Sequence, residues 1–504
     1  MTWADLHDVL VKSGLMRADA GRTGGTLVEF VTGIAYDSRA VEPGNVFVAL
    51  KGLHADGTLF VRQALDKGAV AVVSEQSAGP DVSVPWAAVT DARAALAQLA
   101  SSFHHHPSAG IQVVGITGTN GKTTTAYLIA AVFEAAGIRC GILGTVVCKI
   151  GEEMREAART TPEAPEIQGL LRDMVAAGCG ACAMEVSSHA LSLRRVEGTA
   201  FSAAVFTNLT RDHLDFHGDM EAYFQAKRRL FELLPSGAPS LINVDDPRGG
   251  TLADLVGRPV TFAVNRPADI MPGPLSVSRD GLAFDVRTPR GTVRVRSPLV
   301  GRPNVYNILA AVSTGTVLGL SVDAIERGIH SLKGVPGRFQ LASSIRDEIT
   351  VVVDYAHTDD ALRNLLETAR PLTSGRVITV FGCGGDRDRT KRPLMGAVAD
   401  RLSDLIVVTS DNPRHEDPGG IIEEIRRGLT AETRRDVGQR LMTIVDRREA
   451  IETAIGLARS GDLVLIAGKG HEKYQVVGDR TLPFDDVAVA REALAHRRTN
   501  SGVV

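Results

Sequence analysis

Ten residues, Gly115, Ile116, Thr117, Gly118, Thr119, Asn120, Gly121, Lys122, Thr123 and Thr124, have the types and order of a phosphate cradle. Glycine lets backbone N–H groups come close to phosphate oxygens, the lysine can reach the outer phosphates, and the hydroxyl that follows can hold Mg²⁺. The first glycine is Gly115, one residue earlier than the common GxxxxGK[ST] spacing would place it. A glycine-rich turn that binds nothing is the alternative, and the apolar strand before the run and the helix after it argue against it. Ligases, kinases, switches and motors all use such a loop. The Asn-Lys-x-Asp element of a guanine-specific switch is absent from the sequence.

Two further runs offer metal and proton chemistry. An apolar strand ends in Glu185 and continues Val186, Ser187, Ser188, His189, which makes Glu185 a candidate Mg²⁺ ligand. Phe206, Thr207, Asn208, Leu209, Thr210, Arg211, Asp212, His213, Leu214, Asp215, Phe216, His217 packs polar, metal-capable side chains after another strand, the composition of a catalytic loop.

These residues need a scaffold, and the chain is long enough for several. At 504 residues it exceeds one core, and roughly one domain per 150 residues gives about three. Turn, strand and helix signals over 43–73 and a helical stretch over 92–103 read as a small α/β unit, residues 1–108. It ends in His104, His105, His106 and Pro107, a linker rather than a metal site. A central nucleotide-binding domain, 109–338, opens with the strand from Ile111 into the phosphate loop. Strands expected at 349–353, 376–381, 405–410 and 463–467, separated by helices, make 339–504 a doubly wound, Rossmann-like parallel sheet. The fold class expected is therefore α/β in three domains.

Composition excludes other classes. With 44% hydrophobic and 23% charged residues the chain should fold throughout, and a net charge of -3 gives no field for nucleic acid. The first 15 residues lack a signal peptide's basic flank and apolar core, and no later run has membrane-spanning length, so a cytoplasmic protein that binds no membrane is expected. Five scattered cysteines fit a reducing compartment, with Cys179 and Cys182 packing in a core rather than binding zinc.

With these motifs together, the chain resembles the Mur ligases, which add amino acids stepwise to UDP-N-acetylmuramic acid, and the likeness runs over nearly its whole length. The resemblance implies that ATP phosphorylates a substrate carboxylate and that an incoming amine attacks the acyl phosphate. Phosphate is a competent leaving group where a bare carboxylate is a poor electrophile. It implies that Gly118 to Thr124 hold ATP, that Lys122 and Thr123 hold phosphates and Mg²⁺, and that Glu185 and His213 ligate metal. It further implies that Lys227, which the sequence alone reads as a surface helix lysine, is carbamylated and helps to hold a second Mg²⁺. Gly301 to Asn307, with Asn304 and Asn307, resembles the adenine-side segment. Arg338 marks the hinge, and Asp354, Tyr355, Ala356, His357 resembles the element by which the last domain reaches ATP. Asp359 stands where proline is usual, which implies a less rigid loop.

The same resemblance assigns the substrates. Ser38 in Asp37-Ser38-Arg39 resembles a uridine contact; Thr160, Thr161, Ser187 and Arg195 resemble the muramoyl-peptide segment, with Arg159 where Asn is common, Leu193 where Gln is common and Thr58 where His or Arg is usual. Polar residues after the strands of a doubly wound sheet line its crevice. Asp411, Asn412, Pro413, Arg414 is similar to the motif of members that use meso-diaminopimelate, where arginine pairs with a carboxylate that lysine lacks. Arg387 then joins the carboxylate clamp, and Gly468 and Glu472 hold the far amino group. The expected partners are ATP, Mg²⁺, UDP-N-acetylmuramoyl-L-alanyl-D-glutamate and meso-diaminopimelate, handled by a monomer. A folylpolyglutamate-type ligase or a nucleotide switch without amide chemistry are the alternatives.

Overall fold

The computed structural model describes residues 1–18, 30–52, 55–79, 82–157, 159–278, 280–344 and 346–500. The first sheet has four parallel strands in the order Gly33–Ala35, Asn45–Ala49, Ala71–Ser74, Trp86–Ala88. Asn45–Ala49 is buried along its whole length, as the continuous apolar run requires of a central parallel strand. Ala92–Phe103 forms the expected helix, and within 43–73 a short helix, Val61–Asp66, follows the 3₁₀ turn Gly57–Phe60. All five cysteines are free and buried, Cys182 within a strand.

The second sheet has eight strands in the order Val260–Phe262, Ser240–Asn243, Ala203–Phe206, Gln112–Thr117, Ala181–Glu185, Cys140–Leu143, Val147–Ile150, Glu153–Glu156. The first six are parallel and the last two antiparallel. Strand order reverses at Gln112–Thr117, whose neighbours are Ala203–Phe206 and Ala181–Glu185. At such a point the two following connections leave on opposite faces and open a crevice. Register then fixes the chemistry: Ile116 lies opposite Glu185, and Thr117 opposite Phe206, so three strand exits open at one level. Helices Lys122–Ala135, Arg302–Val317 and Val322–Ser331 cover one face; Ala164–Ala176 and Met220–Glu232 pack on the other.

The third sheet runs Gln340–Leu341, Thr350–Asp354, Leu463–Ala467, Val377–Phe381, Leu405–Val408, Leu441–Thr443, parallel except for its first strand. Apolar clusters lie on both faces, the doubly wound arrangement. The short edge strands 340–341 and 441–443 lie outside the sequence expectation, as does a hairpin pairing Tyr474–Val477 with Arg480–Pro483. Residues 340–341 and the hairpin are too exposed and mixed in sequence to form the apolar runs that marked the central strands, and 441–443 spans only three residues. Among the described residues no helix is long and apolar enough to cross a membrane.

Candidate active site

The phosphate loop is shaped by two glycines at positive φ, Gly118 at 149° and Gly121 at 87°. A Cβ on Gly118 would collide with the Thr207 hydroxyl, and one on Gly121 would sit 2.5 Å from Asn307 Oδ1. The 207–210 segment forms the floor: Thr119 N donates to Asn208 O (2.9 Å), Asn120 N to Asn208 Oδ1 (2.9 Å), and Thr207 Oγ1 to Asn120 O (2.7 Å). Helix Lys122–Ala135 starts at Gly121 with no side-chain cap, so its first N–H groups and its dipole face the loop.

Two amines meet at one carbonyl. Lys122 Nζ donates to Gly118 O and Thr119 O (both 2.9 Å), and Lys227 Nζ donates to Gly118 O (2.7 Å). Lys227 is 1% exposed, which overturns the surface-lysine reading that its sequence alone gave. Its helix, Met220–Glu232, buries Tyr223, Phe224, Lys227, Leu230 and Phe231, so the lysine occupies a core position of a 3.6-residue repeat. Burial, reinforced by Lys122, holds the Lys227 amine well below the usual lysine range. The Lys122 amine is also lowered, chiefly by burial.

Glu185 is 1% exposed and fully hydrogen-bonded. It accepts from Thr123 Oγ1 (3.0 Å), Thr145 N (2.8 Å) and Thr145 Oγ1 (3.0 Å). Arg338 Nη2 donates to the same Thr123 hydroxyl at 3.1 Å. A hydroxyl and a carboxylate side by side at the phosphate loop are hard oxygen donors of the kind Mg²⁺ takes alongside phosphate oxygens. His213, at a positive φ of 54°, pairs with Asp212 (3.3 Å), and its ring stands edge-on to His189 at 4.7 Å. Burial lowers its pKa to about 3, leaving a neutral imidazole suited to a metal. No hydrogen bond or ion pair joins His213 to Glu185 or Lys227 among the described residues; the Tyr223 ring lies near both His213 and Lys227, 6.2 and 4.6 Å away.

The muramoyl-side candidates converge on the same threonines. Thr160 Oγ1 bonds Thr145 Oγ1 (3.1 Å), Thr161 Oγ1 donates to Glu185 O (2.8 Å) and accepts from Ser187 N (3.0 Å), and Arg195 donates to Thr161 O (3.0 Å). The buried Glu163 draws Arg195 (2.8 Å), Arg159 (3.3 Å) and Arg93 of the first unit (3.8 Å) around one carboxylate, leaving excess positive charge. Ser38 is apart from this group, donating to Gln63 Oε1 (2.7 Å).

In the segment expected to lie on the adenine side, Asn307 Nδ2 donates to Asn304 Oδ1 (2.9 Å), and Asn304 Nδ2 to Val300 O (2.7 Å). The last domain closes over this region. Asn120 Nδ2 donates to Asp360 Oδ2 (3.2 Å), the Arg338 guanidinium lies 4.6 Å over Tyr355, and Asp354 accepts from Phe339 N and Ala356 N at 2.6 and 2.8 Å. The loop expected to be loosened by Asp359 is instead the first turn of helix Asp359–Ala369. Thr358 caps it, and an acidic residue suits the helix dipole there as proline suits the backbone.

At the last sheet, the three strand-end loops meet. Arg414 Nη1 donates to Gly385 O (2.8 Å) and Arg387 Nη1 to Asp386 O (3.1 Å), while neither guanidinium has a carboxylate within ion-pair distance among the described residues. A Cβ at Gly384 would meet both side chains, at 2.9 and 3.9 Å, so the two arginines flank that glycine. Asn412 Nδ2 donates to Glu472 Oε2 (2.9 Å). Asp411 lies against Gly468, whose φ of 117° admits glycine there. Buried Arg447 braces both exits, donating to Ser410 O (3.3 Å), Ala467 O (3.0 Å) and, through two nitrogens, Asp486.

Comparison with known proteins decides the family. Residues 30–104 match the Mur ligase family catalytic domain, 116–315 the Mur ligase middle domain, and 337–470 the Mur ligase glutamate ligase domain. The chain is 48% identical over 480 residues to UDP-N-acetylmuramoyl-L-alanyl-D-glutamate--2,6-diaminopimelate ligase of Geobacter metallireducens, covering 92% of this chain and 94% of that one. It is 50% identical over 468 residues to the ligase of the same name from Solibacter usitatus, covering 92% and 93%. A solved structure of a ligase of that name superposes with a TM-score of 0.68 at 34% identity over 99% of both chains. The chain belongs to the Mur ligase family. It is thus a ligase, and an ATP-dependent one.

For a Mur ligase, several of the site's supports were invisible in the sequence. Thr145, which links Glu185 to Thr160, follows Gly144 in an unremarkable turn. Glu163 and Arg93 lie 70 residues apart in the chain, roughly. Lys469, fully buried between Asn412 and Glu472, sits in a run read only for its glycines and Glu472. The hairpin over 474–483 pins the Arg414 loop through Arg414 N to Val476 O (3.0 Å) and Gly478 N to Arg414 O (2.7 Å).

Proposed function

We propose that the chain joins meso-diaminopimelate to the D-glutamate γ-carboxylate of UDP-N-acetylmuramoyl-L-alanyl-D-glutamate through an acyl phosphate, in cytoplasmic precursor synthesis. The observation that carries the amino-acid choice is the pair Arg387 and Arg414, permanently charged and, among the described residues, without carboxylate partners, beside Glu472 and Asn412. A pocket with spare guanidinium N–H groups and a carboxylate takes a carboxylate and an ammonium together, which diaminopimelate presents at its far end and lysine does not. The names of the relatives above support the same substrates.

ATP sits with its phosphates on residues 118–124 and its base toward Asn304 and Asn307. Lys122 and Arg338 neutralise charge as the γ-phosphoryl moves to the carboxylate, which is held by the Thr160, Thr161, Ser187 and Arg195 group. Mg²⁺ held by Thr123 and Glu185 would supply further charge neutralisation on the phosphates. His213 and a carbamylated Lys227 form the second cation's candidate ligands: a buried amine kept neutral is the form that adds CO₂. The acyl phosphate then meets the diaminopimelate amine at the interface that Asn120, Asp360 and Arg338 close. Division of the chain near 108 and 338 gives each substrate its own unit.

Phosphate release by the purified protein should require ATP, the muramoyl dipeptide and meso-diaminopimelate together. Turnover with lysine but not diaminopimelate would overturn the assignment of Arg414, and release without either co-substrate would indicate a nucleotide switch.

A further inference from the structure

Lys469 is 0% exposed, yet it lies among the residues assigned above to the amino acid. Its Nζ donates to Asn412 Oδ1 at 2.9 Å and to Glu472 Oε2 at 3.1 Å, and lies 5.6 Å from the Tyr474 ring centroid. Val476 N donates to the same Asn412 oxygen at 3.0 Å. Two donors on Oδ1 fix the orientation of the amide, so Asn412 turns its NH₂ group toward Glu472, one hydrogen going to Oε2. Glu472 Oε2 thus has two donors, while among the described residues no hydrogen bond reaches Oε1.

Charge follows from the same contacts. Glu472 carries the carboxylate that would attract a substrate ammonium, but an ammonium of the protein already lies 3.1 Å from it. A bare cation entering the pocket meets a carboxylate that is half neutralised and a lysine that repels it. A ligand end carrying both charges gains Glu472 Oε1 for its ammonium and the Asn412 N–H with Arg387 and Arg414 for its carboxylate. We infer that Lys469 is a specificity-determining residue, which presets Asn412 and damps Glu472 so that the pocket accepts a zwitterionic end and refuses a lone ammonium. This rests on the diaminopimelate assignment above and adds the element that acts against lysine.

The test compares kcat/KM for meso-diaminopimelate and for lysine in the full-length enzyme and in Lys469→Met, with ATP and the muramoyl dipeptide saturating. The diaminopimelate-to-lysine ratio should fall at least tenfold, through a lower KM for lysine and a higher one for diaminopimelate, with the KM for ATP unmoved. Lys469→Gln, which keeps a donor for Asn412 without the charge, separates the two parts and serves if the methionine variant does not fold. It should improve lysine use while costing diaminopimelate less. A wild-type preference for diaminopimelate with an unchanged ratio in both variants, or an equal loss for both amino acids, would overturn the role of Lys469 alone. A wild-type preference for lysine would overturn the pocket assignment and Lys469 with it.

Discussion

The phosphate loop and the amino-acid end both point cations at backbone carbonyls, with opposite results. At the loop, Lys122 and Lys227 share Gly118 O; burial lowers the pKa of both amines, and the charge of Lys122 pushes Lys227 further, toward the neutral form. At the far end Arg387 and Arg414 also donate to loop carbonyls, but a guanidinium cannot be neutralised by its surroundings. Lysine is the residue a protein can switch off by burial and then modify; arginine leaves a standing charge that only an anion answers. On the function proposed above, one end serves chemistry on phosphate and carboxylate, the other recognition of a second carboxylate.

The largest effect should come from breaking the lysine half of that contrast. Lys227→Ala is expected to lose turnover by on the order of 10²–10³, and bicarbonate with the variant should restore part of it by placing a small carboxylate in the vacated space. Full activity of the variant would remove the carbamate role, and an unrescued loss would leave Lys227 as a plain brace on Gly118. Phosphate release with and without bicarbonate reads all of these.

The contrast also explains what the sequence could disclose. The phosphate loop was legible because its chemistry lies in consecutive residues: two glycines at positive φ, a lysine and a hydroxyl, between a strand and a helix. The strands that deliver Glu185 and the 411–414 loop were legible because central parallel strands are continuous apolar runs. What escaped is built across the chain. Lys227 is in the core because Tyr223 and Phe231 flank it at helical spacing, yet a lysine in that pattern reads as solvent-facing until the fold covers it. Lys469 meets Asn412 across 57 positions, and Arg93 meets Glu163 across two units, contacts that no local period encodes.

Arg414→Ala tests the arginine half. Truncating one member of a buried charged recognition pair costs about 2–5 kcal/mol, so the KM for diaminopimelate should rise roughly 30-fold or more, with the KM for ATP little changed. Lysine, which has no second carboxylate, should lose much less. An equal loss for both amino acids would mean that Arg414 merely supports the Gly385 loop.

Acid should weaken the closed site through histidines that burial keeps neutral. His471, packed on Tyr355 with Arg338 nearby, has its pKa lowered to about 4, against an ordinary value near 6.5 when unfolded. Between those values the unfolded chain binds a proton that the folded one refuses, so stability falls as pH drops from 6.5 toward 4 and is indifferent to this group above 6.5. His471→Gln should flatten that acid limb by about one proton in denaturant titrations across this range. An unchanged slope would show that His471 is solvated in the folded protein.

The smallest expected effect belongs to the joint between the two regions. Thr358 is 2% exposed and caps helix Asp359–Ala369 by accepting from Ala361 N at 3.2 Å. Two residues on, Asp360 accepts from Asn120 of the phosphate loop at 3.2 Å, so the cap anchors the helix that carries an interdomain contact. Thr358→Ala should cost about 1 kcal/mol, a shift of about 2–4 °C in the transition of a unit this size. If the cap also sets Asp360, the KM for ATP should rise about twofold to tenfold with kcat held, since a contact worth roughly 0.5–1.5 kcal/mol would be lost. A lower melting transition with an unmoved KM would confine Thr358 to stability and leave closure over the phosphates to Arg338 and its bond to Thr123.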